Sequence, residues 1–340
     1  MIRILYIGNK LTKHGYTSTS IDTLGVFLER EGFKVYYASS KKSKFLRILD
    51  MIGKTIKYRN KIDFVLIDTY STLNFWYSFI ISQLCRVLNI KYIPKLHGGD
   101  LPRRIKRDTF ICNLIFKNSF INIAPSNYLF EAFYNNGYKN LVYLPNTIEL
   151  QNYPFIKREV IDPKLLWVRS FSKIYNPIMA VKVLVELKKE YPNASLCMIG
   201  PKKDESYIET VRFAKKNRVD VNFTGKLSKY EWINLSNRSN IFLNTTHFDN
   251  TPISVIEAMA LGIPVVSTKV GGIPFLLEHE KNALLVSDND VDDMVLQIKK
   301  LLKNPEQTNI IVENARETVN NFDWEIVKLK WIELLKVPNK

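Results

Sequence analysis

Short apolar runs alternate along the whole chain with stretches whose apolar positions recur every three to four residues. In the first half the pattern predicts strands over residues 2–7, 34–38, 63–68, 92–96, 120–124 and 141–144. Helices are predicted over 21–31, 43–58, 73–88, 103–117 and 127–135, with Gly32 and Gly137 as stop signals. The run 63–68 is almost continuously apolar, as expected of a strand covered on both faces. Strict β–α alternation of this kind calls for a mostly parallel, doubly wound sheet.

The periodicity lapses over 145–163, where Asn146, Asn152, Pro154 and Pro163 read as a linker, and then restarts. Strands are predicted over 165–168, 195–199, 221–224, 241–244, 264–267 and 283–286. The accompanying helices fall over 177–191, 205–217, 229–237, 252–261 and 290–302. A final amphipathic helix over 323–335 carries Trp324 and Trp331. The expected fold class is therefore α/β with two Rossmann-like domains, 1–150 and 151–321. Strand carboxyl ends from both would line a cleft.

Composition narrows the classes. With 46% hydrophobic and 24% charged residues in 340, the chain can bury large cores and is too apolar to be disordered. Cys85, Cys112 and Cys197 are few, odd in number and set in apolar runs, so buried free thiols are expected rather than disulfides or a metal site. The longest apolar run, 73–84, is too short to span a bilayer and contains Asn74, Ser78, Ser82 and Gln83. The expected location is a reducing cytoplasm. Net charge is +16, of which residues 1–150 hold +12. Such a surplus suits nucleic acid, a phosphorylated small molecule or an anionic membrane. A nucleic-acid binder would also need aromatic platforms or a recognition helix, and none is evident.

Candidate chemistry concentrates between Asn244 and Pro274. Thr251 is placed to cap a helix, Pro252 fits its first turn and Gly262 ends it, so the helix's positive end would follow a strand directly. Asp249 and Glu257 stand eight positions apart, and two carboxylates there suit sugar and ribose hydroxyls better than phosphate. The plainer reading is that Asp249 only caps and Glu257 is an exposed charge. Gly271-Gly272 follows the next strand, where paired glycines either form a simple turn or let backbone N–H groups approach a diphosphate. Arg169 ends a buried strand and Lys173 follows in the loop, a fork and a point charge suited to a diphosphate, or else solvated surface. Asp288-Asn289-Asp290 precedes a helix and reads as a cap, not a metal motif.

These motifs carry a family likeness. Asp249…Glu257, with the run Ala258-Met259-Ala260-Leu261-Gly262-Ile263-Pro264-Val265-Val266, resembles the E-x7-E segment of the retaining glycosyltransferases of family 4, which have the GT-B fold. Arg169 and Lys173 resemble that family's diphosphate-binding pair. Ala124-Pro125-Ser126, Gly137, Pro145-Asn146, Ile199-Gly200, Phe223-Thr224-Gly225 and Gly271-Gly272-Ile273-Pro274 also match. The sequence departs in having Asp249 where Glu is usual, Asn250-Thr251-Pro252 for Gly-Phe-Gly, and Lys173 one position closer to its Arg.

The resemblance implies transfer of a sugar from a nucleotide-diphosphate donor to a glycan or lipid-linked hydroxyl, with retention, in cell-surface polysaccharide or lipopolysaccharide assembly. It implies no metal and no cofactor beyond the nucleotide sugar, a UDP-sugar being favoured over a GDP-sugar. Catalytic candidates are His97, Arg169, Lys173, Asp249 and Glu257. Donor-binding candidates are Gly15, Gly200, Asn250, Thr251, Pro252, Ile253, Gly271 and Gly272. His97 corresponds to a donor-sugar contact, and the loop His14-Gly15-Tyr16-Thr17 to one over the diphosphate, although the family's second glycine is absent. Asp100 bonds a sugar or shapes its turn. The last helix, 322–340, would return to the first domain. A nucleotide-sugar epimerase of the same fold and an inactive nucleotide-sugar-binding homologue are the alternatives.

One feature of the first half stays outside that scheme. Phe45, Ile48, Leu49, Ile52 and Ile56 form an apolar stripe surrounded by Lys41, Lys42, Lys44, Arg47, Lys54, Lys57, Arg59 and Lys61. Arg103, Arg104, Lys106 and Arg107 lead another apolar helix. Either the stripes pack on the sheet beneath solvated charges, or they attach the protein peripherally to an anionic leaflet.

Overall fold

Every strand pairing between named strands is parallel, and the strands form two six-stranded sheets. The structure is a computed structural model that describes residues 1–16, 18–158 and 162–336. Thr17, residues 159–161 of the expected linker and residues 337–340 of the expected last helix lie outside it.

In the first unit the order is β1 (Arg3–Ile7), α1 (Ser20–Arg30), β2 (Lys34–Ala38), α2 (Lys44–Tyr58), β3 (Phe64–Tyr70), α3 (Phe75–Val87) and β4 (Tyr92–His97). Then follow α4 (Leu101–Arg107), α5 (Thr109–Phe116), β5 (Asn122–Ala124), α6 (Asn127–Asn135) and β6 (Leu141–Tyr143). The sheet order is β2-β1-β3-β4-β5-β6. The single helix expected over 103–117 is two helices, broken at Asp108 (φ −113°, ψ 41°), whose carboxylate takes Arg104 at 2.8 Å and Arg107 at 3.0 Å.

The second unit runs β7 (Lys164–Val168), α7 (Pro177–Leu187), β8 (Ser195–Ile199), α8 (Ser206–Lys216), β9 (Asn222–Gly225), α9 (Lys229–Ser236) and β10 (Ile241–Asn244). It continues through α10 (Ile253–Ala260), β11 (Val265–Thr268), β12 (Leu284–Val286), α11 (Val291–Lys303) and α12 (Pro305–Asn320). Its sheet order is β12-β11-β10-β7-β8-β9, so the winding reverses between β7 and β10. In doubly wound sheets that reversal opens a crevice at the strand carboxyl ends.

The units divide between Asn146 and Thr147, and α13 (Trp324–Leu335) belongs to the first. There Trp324 stacks on Phe27 at 4.8 Å, and Trp324, Val327, Trp331 and Leu335 join the apolar cluster of α1, β1 and β3. Helix α12 has no counterpart in the sequence reading. Its buried positions Thr308, Ile311, Val312, Ala315 and Val319 do keep helical spacing, and Pro305 sits in its first turn.

Helix α2 corrects the stripe expected for it. Its buried residues are Arg47, Met51 and Thr55, while Ile48 and Ile52 are half-buried and Phe45, Leu46, Leu49 and Ile56 are exposed. Arg47 is not a solvated charge. It is 5% exposed and its guanidinium donates to Asn9 Oδ1 (2.7 Å) and to the Lys41 and Lys42 carbonyls (both 2.9 Å). Arg104 likewise lies against Phe75, 4.2 Å from its centroid, and donates to Ser71. Cys85 and Cys112 are buried as expected, whereas Cys197 is only half-buried. Burial pushes the thiols up, to about 12 for Cys85 and Cys112 and about 11 for Cys197. Among the described residues no helix is long and apolar enough to cross a membrane.

Candidate active site

Two strands that flank the winding reversal deliver the central pair. Arg169 follows β7 and Asp249 follows β10, and the two side chains form an ion pair, each 16% exposed. The guanidinium also lies over the Tyr175 ring, 4.8 Å from its centroid. Asp249 Oδ1 accepts from the Asn250 N–H at 2.8 Å. Asp249 therefore does not cap α10; it is an oriented, paired carboxylate.

Thr251 does not cap the helix either. The N-cap is Pro252 (φ −71°, ψ 116°), whose carbonyl accepts from Val255 (3.1 Å) and Ile256 (3.3 Å). Helix α10 thus begins at Ile253 with no side-chain cap on its positive end. Asn250 and Thr251 stay half-buried in the loop, and Pro252 is buried.

Glu257 is not the exposed charge of the plainer reading. It is 3% exposed, accepts from the Tyr153 hydroxyl at 2.8 Å and pairs with Lys229. Burial, then the adjacent Glu257 charge, drives the Tyr153 phenol far above its ordinary value, so it remains a donor. Sequence reading missed Tyr153, Lys229 and Tyr175. Tyr153 sits 104 positions from Glu257, and no local pattern joins them.

The glycines serve the loops first. A Cβ on Gly200 (φ +153°) would lie 1.7 Å from the Arg169 carbonyl oxygen. One on Gly271 (φ +54°) would lie 2.3 Å from the Asp249 carbonyl oxygen, and one on Gly272 2.1 Å from that of Asn250. The Gly272 N–H donates to Asp249 O at 2.8 Å. That amide, expected to approach a diphosphate, holds the Asp249 loop instead, because only residues without Cβ let the two loops come this close.

Lys173 does not join the central pair. Its side chain is largely exposed and pairs with Glu205 at 2.8 Å, while its N–H donates to Asp204 at 3.0 Å. Asp290 caps α11, accepting from Asp293 at 2.9 Å, and Asp288 pairs with His247 at 2.8 Å. Among the described residues no group of three or more His, Cys, Asp and Glu side chains gathers that could hold a metal ion.

In the first unit His97 closes β4. Its Nε2 lies 2.8 Å from Asp68 Oδ1, and its ring stacks on Tyr70 at 5.1 Å. Burial, then Lys95, lowers its basicity. Lys95 is itself buried, pushed down to about 8 by that burial, and donates to Ser20 (2.9 Å) and Asn146 (3.1 Å). Gly15 (φ +81°) ends the short turn Thr12–His14, a conformation that favours glycine. Asp100 is the N-cap residue of α4 but makes no side-chain cap bond, and its carboxylate turns to Arg103 at 3.5 Å.

Two parallel, doubly wound sheet units define the class: the fold is GT-B. HepE of Anabaena, solved with UDP and glucose, superposes with a TM-score of 0.80 at 15% identity, over 99% of this chain and 100% of that one. Residues 154–318 match the family model of the glycosyl transferases group 1, a span that holds Arg169, Lys173, Gly200, Asp249, Glu257 and the Gly271-Gly272 pair. The chain is 28% identical over 342 residues to an uncharacterized glycosyltransferase of Haemophilus influenzae, covering 97% of this chain and 94% of that protein. It is 24% identical over 285 residues to another from Methanocaldococcus jannaschii, covering 81% and 75%. These likenesses support a glycosyltransferase of GT-B fold.

Proposed function

We propose that the protein is a retaining glycosyltransferase of family 4, which moves a sugar from a nucleotide diphosphate to a hydroxyl of a glycan or lipid-linked acceptor. The reading rests above all on the meeting of Arg169 and Asp249 at the winding reversal of the second sheet. In the proposed reaction the anomeric C–O bond breaks and its electrons pass to the departing diphosphate oxygen. The acceptor oxygen bonds to the same face of the anomeric carbon, and its proton goes to the departing phosphate.

Arg169 keeps one N–H on Asp249 and turns others to the diphosphate, where preorganised donors act on developing charge. Asp249 and Glu257, fixed by their partners, accept from the sugar and the ribose. Asn250, Thr251, Pro252 and Ile253 bring the uncapped start of α10 to the donor. Lys173 reaches the diphosphate by leaving Glu205. A UDP-sugar is the favoured donor, in keeping with the UDP in the Anabaena protein. The reaction proposed needs no metal.

The acceptor role falls to the first unit, in polysaccharide or lipopolysaccharide assembly at the inner face of a membrane. Phe45, Leu46, Leu49 and Ile56 are exposed among Lys41, Lys42, Lys44 and Lys57, the composition of a surface that binds anionic lipid. The test is product analysis. NMR of the linkage formed from an identified UDP-sugar is expected to show the donor's anomeric configuration, and inversion overturns the retaining assignment. Donor consumed without acceptor would mark an epimerase instead.

A further inference from the structure

A chain of buried and half-buried polar groups crosses the carboxyl edge of the first sheet, and the donor and acceptor types of its members order its hydrogen bonds. Lys95 Nζ can only donate, and does so to Ser20 Oγ at 2.9 Å. Tyr6 OH lies 2.9 Å from Ser20 Oγ and donates to Asp68 Oδ1 at 3.0 Å. Since the Tyr6 hydrogen is on Asp68, the Ser20 hydrogen points to Tyr6. The fifth member is His97, with Nε2 at 2.8 Å from that same Oδ1. An ionised carboxylate accepts only, so the His97 nitrogen that faces it must carry the hydrogen.

We propose that Asp68 is a positioning residue that fixes His97 as its Nε2–H tautomer, so that His97 offers Nδ1 to the transferred sugar as an acceptor for a hydroxyl hydrogen. The use of that acceptor rests on the function proposed above; the tautomer does not. The Asp68 side chain is fully buried, and Gly8 leaves it room, since a Cβ there would stand 2.6 Å from Oδ2. Burial, then the Lys95 charge, lowers the basicity of His97 against the opposing pull of Asp68, which favours the neutral ring with a bare Nδ1. Tyr70 stacks on the ring and holds its plane. His97 so held selects a ligand by a hydroxyl it accepts from, and would reject one that presents only an ether or carbonyl oxygen there.

The test is imidazole nitrogen NMR on the full ¹⁵N-labelled chain, with the His97 signals assigned by their loss in His97→Gln. The expected result is a protonated Nε2 and a bare Nδ1 from pH 6.5 to 8, converted to a tautomer mixture in Asp68→Asn. Tyr6→Phe, which cuts the link to Lys95 but leaves Asp68, should keep the wild-type tautomer. An Nδ1–H ring, a doubly protonated ring at pH 7, or no change in Asp68→Asn overturns the proposal. With an active UDP-sugar, Asp68→Asn is expected to lower kcat about 10–100-fold with KM within about threefold. Wild-type kcat in Asp68→Asn and His97→Gln would remove the sugar contact while leaving the tautomer standing. Loss of donor binding in Arg169→Ala tests the functional reading separately.

Discussion

The hydroxyl of Tyr153 donates to Oε1 of Glu257 at 2.8 Å, tying the segment that follows Asn146 to the middle of α10. A carboxylate this buried needs its donors, because an unsatisfied buried charge is costly. Tyr153→Phe removes one donor and leaves Lys229 as the other. The expected cost is about 1–3 kcal/mol, read as a lower urea midpoint, together with weaker nucleotide binding by calorimetry.

Gly200 and Gly137 both have positive φ but differ in surroundings. A Cβ on Gly200 meets the Arg169 backbone at 1.7 Å, whereas one on Gly137 (φ +86°) has nothing within 4 Å. Gly137→Ala should cost only its backbone conformation, about 1–2 kcal/mol. Gly200→Ala must also displace the turn that carries Arg169, so its cost should exceed about 3 kcal/mol and transfer should fall with it. Urea unfolding of the two variants side by side checks the contrast.

How much of this was legible beforehand depended on whether the signal was local. The β–α alternation marked each of β1–β12, although it placed several bounds a residue or two away and ran α4 and α5 together across Asp108. Helix α12 went unread because its β-branched residues diluted a helical spacing that was present. Glu257, Asp249 and Arg169 stood out by motif, but their partners Tyr153, Lys229 and Tyr175 are joined to them only by tertiary folding. The α2 stripe left its facing open, because an apolar row with charges on both sides does not show which face is buried; the buried Arg47, with three hydrogen bonds, takes the inner face. Asp68 was read only as the end of an apolar run, and nothing local announced its bond to His97.

Lys95 sets a pH dependence of stability. It titrates near 8 when folded and near 10.5 when exposed, so between those values the unfolded chain holds more protons. Stability from this group therefore rises with pH through that window. Relative to Lys95→Met, the wild type should gain about 2 kcal/mol between pH 8 and 9.5. Urea titrations of both proteins at the two pH values measure it, and parallel curves would contradict it.

The exposed face of α2 predicts a lipid dependence. Phe45→Glu with Leu49→Glu adds charge at two exposed positions and should leave the urea midpoint within about 0.5 kcal/mol. Co-sedimentation with vesicles containing anionic phospholipid should fall at least tenfold in the double variant, and should be weak for the wild type on neutral vesicles. Equal sedimentation on both vesicle types would contradict attachment to an anionic leaflet.

Binding of a nucleotide sugar by the second unit is the central claim, and a thermal-shift screen of UDP- and GDP-sugars tests it most directly. A ligand at about 100 times its Kd stabilises the folded state by about 2.7 kcal/mol, which raises Tm by at least a few degrees. The account predicts such a rise with at least one UDP-sugar, abolished in both Arg169→Ala and Glu257→Ala while the unliganded variants stay folded. No shift with any nucleotide sugar, or an equal shift in both variants, would contradict it.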